Sequence, residues 1–123
     1  MFEVEARIDK NRLVVRIWGD VDVAEARQIG DAAVRAIDRL QPGLDLLSDL
    51  RGLTRVPGEC AAQLQRIVEA ARARGFRRVV RVVGRSADAA LQFERVSRSL
   101  GHEACLAFSL EEAERVLDGG GPS

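Results

Sequence analysis

A chain of 123 residues, 46% hydrophobic and 31% charged, holds enough apolar material for one core and fits a single domain. Its nineteen basic and nineteen acidic side chains cancel, which argues against coating nucleic acid or an anionic membrane, since both need an uncompensated positive field. Disorder, which combines low hydrophobicity with high net charge, is excluded as well.

FEVEARI (2–8) alternates Phe2, Val4, Ala6 and Ile8 on one face with Glu3, Glu5 and Arg7 on the other, the period of a half-buried strand. DKN (9–11) is turn chemistry, and LVVRIW (13–18) is a second strand, so the two form an antiparallel hairpin. Asp22 with Glu25 makes a capping box for a helix through Ala26, Ile29, Ala33, Ile37 and Leu40, stopped by Pro42-Gly43. Gly30 inside that helix predicts close packing against the sheet. LDLLSDL (44–50) is a central strand, and Pro57 suits the first turn of the next helix, whose stripe is Ala61, Leu64, Ile67, Val68 and Ala71. Gly75 is placed to cap its C-terminus.

RRVVRVVG (77–84) is another strand. Ser86 can cap a helix through Leu91, Phe93, Val96 and Leu100, closed by Gly101. EACLAF (103–108) is the last strand, and Ser109 with Glu112 is a second capping box for a short helix through Leu117. The order ββαβαβαβα predicts an α/β fold with a mixed, mostly parallel sheet and about four helices, in one domain over 1–118 with a disordered tail at 119–123. Mid-strand charges at Glu5, Arg16 and Arg81 conflict with a sheet covered on both faces. Either part of one face is open to water or a partner, or the arginine stems lie along apolar surface with their heads in water.

MFEVEARIDK carries acids where a signal peptide needs bases, and no run approaches the roughly 18 apolar residues of a membrane span. Two distant cysteines, Cys60 and Cys105, fit reduced thiols rather than a disulfide framework. A cytoplasmic location is the expectation.

Chemistry-bearing motifs are sparse. His102 is the one histidine, and the cysteines lack zinc spacing, so no metal site is expected. Cys60, beside Glu59 at a helix start, reads as core filler rather than a thiol nucleophile, because a neighbouring carboxylate disfavours the thiolate. Cys105 reads as core. No phosphate-cradling glycine motif occurs, and no cofactor is expected. Eight arginines between Arg72 and Arg98 form either a patch for an acidic partner or a solvated helix end and strand face.

Three stretches carry a resemblance to a known family. GDVDVAEA is like a Gly-x-Leu-Asp opening of a first long helix, SDLRGLTRV is like an LDLSGVTFI strand, and SLEEAERVL is like a final helix. In order, over about Phe2 to Leu117, the chain resembles the STAS family, the bacterial anti-sigma-factor antagonists and related domains of sulfate transporters. Antagonists of that family carry Asp-Ser-Ser-Gly after the third strand, and a partner kinase, itself the anti-sigma factor, phosphorylates the second serine. Aligned without gaps from Asp49, the chain reads Pro57-Gly58-Glu59-Cys60 there, with Glu59 on the phosphoserine. The acceptor hydroxyl is missing.

The resemblance implies a non-catalytic protein-interaction module in bacterial signalling or transcription regulation. Its contact surface would be the corner Arg55, Val56, Pro57, Gly58, Glu59 and Cys60 with Gln63 and Arg66 of the helix that follows. The implied partner is an anti-sigma factor, a histidine-kinase-like ATPase or another STAS domain, with a homodimer also compatible. Glu59 has two readings: a fixed stand-in for phosphoserine, or one of the acids common in first helical turns. A small-ligand, nucleotide or lipid-binding module of the same fold is the alternative.

Overall fold

Strands join the sheet in the order in which the chain makes them. In the computed structural model, residues 1–55, 58–82 and 105–120 are described. Strands β1 (Phe2–Arg7), β2 (Arg12–Asp20), β3 (Leu44–Arg55), β4 (Phe76–Val82) and β5 (Cys105–Ala107) lie side by side as β1-β2-β3-β4-β5. The first pair is antiparallel and the rest are parallel. Three helices accompany them among the described residues: α1 (Val23–Ile37), α2 (Glu59–Arg74) and α3 (Leu110–Arg115), the last running into a wider π-type turn over Val116–Gly120. The helix expected through Leu91 to Leu100, with His102, lies outside the described residues.

The hairpin turns on Asn11, left-handed at φ +52, a conformation asparagine tolerates. Its side chain exchanges hydrogen bonds with the Gln41 backbone, Nδ2 donating at 3.0 Å and Oδ1 accepting at 2.7 Å. The turn is thereby tied to the loop that leaves α1. At the start of α1, Asp22 Oδ1 accepts from the Glu25 N–H at 2.7 Å, as expected of a cap. The box is not reciprocal: Glu25 Oε1 accepts instead from the Met1 ammonium at 2.7 Å.

α1 ends at Ile37, earlier than the Pro42-Gly43 stop. Tight i to i−3 bonds close it, Arg39 N–H to Ala36 and Leu40 N–H to Ile37, and they swing Leu40 into the core. Gly30 meets α2 rather than the sheet, since a Cβ there would collide with Gln63. Gly75 closes α2 at φ +92, donating to the carbonyls of Ala71 and Arg72.

β3 runs five residues past its expected end. Between the pairs Arg16↔Asp49 and Trp18↔Gly52, two steps on β2 match three on β3, which is a bulge, and a second irregularity precedes Asp20↔Arg55. Gly52 makes the continuation possible. A Cβ built there would lie 2.7 Å from Trp18 Cβ, so only glycine lets the strands stay this close.

The two faces of the sheet differ. α1 and α2 cover one face, burying Leu13, Val15, Ile17, Leu44, Leu46, Leu50 and Val79 against Ala26, Ile29, Ala33, Ile37 and Ala71. α3 and the turn after it cover part of the other, packing Ala113 and Leu117 on Val14, Leu47, Val80, Val82 and Ala107. Cys105, expected in the core, is exposed. It begins the edge strand, and on its face the described cover starts at Ala107. Phe108, expected to end that strand, lies beyond it and is 73% exposed.

Charge holds α3 in place. Arg12, 2% exposed, donates to Glu114 at 2.9 Å and Asp118 at 2.8 Å. Arg7 joins it on Glu114 at 2.6 Å, and Lys10 joins it on Asp118. From β4, Arg77 donates to the Leu117 carbonyl and Arg78 to the Val116 carbonyl, both in the π-type turn that follows α3. Arg77 also makes a bidentate pair with buried Asp45. Arg74 donates to the carbonyls of Leu40 and Asp38. These arginines of the 72–98 segment are therefore structural braces. Arg85, Arg95 and Arg98 lie outside the described residues.

Two measurements check these points. Gly52→Ala is expected to cost about 1–3 kcal/mol through overpacking, while Gly58→Ala, with open space around it, stays within about 0.5 kcal/mol; denaturant unfolding compares them. The double variant Glu114→Gln/Asp118→Asn leaves Arg12 buried without a counter-charge. It should lose more stability than Arg12→Met, because an uncompensated buried charge costs more than a missing pair.

Candidate functional site

The corner between β3 and α2 sits at the carboxyl end of the central strand. Arg55, the last residue of β3, pairs with Asp20 of β2. Val56 and Pro57 lie outside the described residues. Gly58 is the exposed N-cap of α2, with helical dihedrals of φ −58 and ψ −27. Glu59 and Cys60 are the first two residues of α2. Position 59 thus stands in the first turn, where unpaired amides and the helix field favour a negative group.

The other two expected contact residues lie on the side of α2 that meets α1. Gln63 is half-buried over Gly30 and accepts from Arg66 Nη1 at 3.3 Å. Arg66 bridges to Asp31 of α1 at 2.6 Å. The outward side carries Ala62, Gln65 and Glu69, with Gln65 donating to Glu69 at 3.1 Å. Between the helices and the sheet lies a small apolar cavity of about 50 Å³, reached by Ser48, Gln63 and Arg81. Arg81, one of the mid-strand charges, is buried on this covered face at 2% exposure.

Arg16, the second of those charges, lies on the opposite face, in a surface depression of about 430 Å³ lined also by Glu3, Trp18, Asp49, Arg51 and Gly52. This region is the open part of the sheet that mid-strand charge implies. Arg51 grips Asp49, its Nε and backbone N–H donating to Oδ1 at 2.9 and 3.2 Å and its Nη2 to Oδ2 at 2.9 Å. Burial alone would raise the Asp49 carboxyl. The Arg51 hydrogen bonds, with the charges of Arg51 and Arg16, outweigh it and hold the group below its ordinary value. The sequence reading did not mark this pair, because it ended the strand at Leu50 and so left Arg51 off the sheet.

The fold is that of the STAS domains. A solved structure of the anti-sigma factor antagonist SpoIIAA in its unphosphorylated form superposes with a TM-score of 0.71 at 18% identity, covering 97% of each chain. The Bacillus cell fate determinant SpoIIAA in its phosphorylated form gives 0.64 at 17% identity, covering 94% of this chain and 99% of that one. At such identities the likeness is one of fold. Comparisons with protein-family models and with curated proteins give no match. Among the described residues no helix is long and apolar enough to cross a membrane.

The Asp49–Arg51 clamp has a pH signature. A carboxyl held below its ordinary 3.8 contributes fully above that value, and the contribution fades as pH falls through the lowered one. Asp49→Asn should be less stable at neutral pH and show a shallower acid limb in unfolding followed against pH. A limb as steep as that of wild type would assign it to other carboxylates such as Asp118, which Arg12 and Lys10 also hold low.

Proposed function

We propose that the chain is a non-catalytic protein-interaction module of the anti-sigma-factor-antagonist type, acting in bacterial signalling or transcription regulation in the cytoplasm. Its contact surface is the corner Arg55–Ala62 with the adjoining face of α2. Its partner is an anti-sigma factor, a histidine-kinase-like ATPase or another STAS domain. The observation that carries this reading is the full-length likeness to SpoIIAA, together with the start of α2 at the very position where the sequence alignment puts the phosphoserine.

At that position Glu59 supplies one negative charge where a phosphoserine supplies about 1.5 to 2. The surface is then fixed in a state like the phosphorylated one, without an acceptor hydroxyl at residue 59. The alternative of a small-ligand, nucleotide or lipid module finds no support in the cavity under α1 and α2, which has room for little more than water.

Glu59→Ser tests the reading against the histidine-kinase-like anti-sigma factors of the source cell. The variant is expected to bind such a kinase more tightly than wild type and to accept phosphate from labelled ATP. Equal binding and no transfer to the variant would refute the assignment of residue 59.

A further inference from the structure

The open face of the sheet carries a patch in which two charged side chains keep their hydrogen-bonding capacity. Glu3 of β1 and Arg16 of β2 are paired in register, directly opposite each other. Both line the depression beside Trp18. Glu3 is exposed, while Arg16 and Trp18 are half-buried. No hydrogen bond or ion pair joins Glu3 to Arg16, and neither has another such partner among the described residues. The remaining charges are already matched, since Asp49 is occupied by Arg51 through both carboxylate oxygens. The patch therefore offers one free acceptor and one free donor, with no net charge, around the chain's single tryptophan.

A surface of this kind does not select a strongly acidic or strongly basic partner, because either finds a like charge beside the opposite one. It does complement itself. Under a two-fold axis Glu3 of one copy meets Arg16 of the next, and Arg16 meets Glu3, so each contact is made twice. Tryptophan and arginine are the residues that most often anchor protein interfaces. We propose that this face, formed by Glu3, Arg16, Trp18 and Arg51, is a two-fold docking surface for a second copy of the chain. It lies on the face opposite α1 and α2. It is therefore separate from the proposed Glu59 surface, and either can fail without the other.

The test is self-association of the full chain between about 1 μM and about 1 mM, the range of weak to moderate affinities, by sedimentation and by Trp18 fluorescence. Wild type should reach twice the 13.5 kDa of one chain, with the Trp18 emission shifting along the same curve. E3R and R16E should each remain monomeric alone and form a mixed dimer when combined, since one then carries two positive charges and the other two negative ones. If R16E does not fold beside Asp49, E3R and Glu3→Gln carry the test, with E3R weakening association more. A wild type monomeric over the whole range, or a dimer indifferent to these changes, would overturn the proposal.

Discussion

One-directional growth of the sheet governs this molecule. Each new strand is added beyond the last, and parallel crossovers are almost always right-handed. Successive helices therefore fall on the same side, and α1 and α2 indeed share one face and one apolar core. A doubly wound sheet reverses direction midway and is covered on both faces. Among the described strands there is no reversal. Among the described residues, the second face is left to the C-terminal helix, which covers part of it.

That partial cover explains the distribution of charge. α3 brings few large apolar side chains to the sheet, with Ala113 and Leu117 at its centre. The deficit is met by guanidinium groups: Arg12 from beneath, Arg7 from β1, and Arg77 and Arg78 from β4. Arginine suits this task because its planar fork can serve two acceptors and stays charged at any working pH. Away from α3, the polar group of Glu3, Arg16, Asp49 and Arg51 gathers around Trp18 in a surface depression.

Much of the architecture was legible in the sequence. Alternation in FEVEAR, the caps at Asp22 and Ser109 and the glycine after Arg74 each reappear in the structure, because they are local signals with local causes, whereas Ile8, expected on the buried face of the first strand, lies beyond it in the turn and is exposed. What could not be read depended on neighbours distant in sequence. The end of α1 was set by the burial of Leu40, the role of Gly30 by Gln63 of another helix, and the length of β3 by the contact of Gly52 with Trp18. Cys105 alternates like a core residue and is exposed, since periodicity assigns a face without telling whether that face is covered. For the candidate site, the sequence located the corner but could not reveal that Gln63 and Arg66 turn toward α1.

The ladder between β2 and β3 ends on Asp20 and Arg55, the residues from which the chain departs into α1 and α2 respectively. Both helices consequently start from the same rim of the sheet and run back in the same sense, in contact along their length. Their aligned peptide dipoles reinforce one another at that rim. Residue 59 thus opens its helix at a rim where a second helix also begins, so the unpaired N-terminal amides of two coils lie at one edge of the sheet.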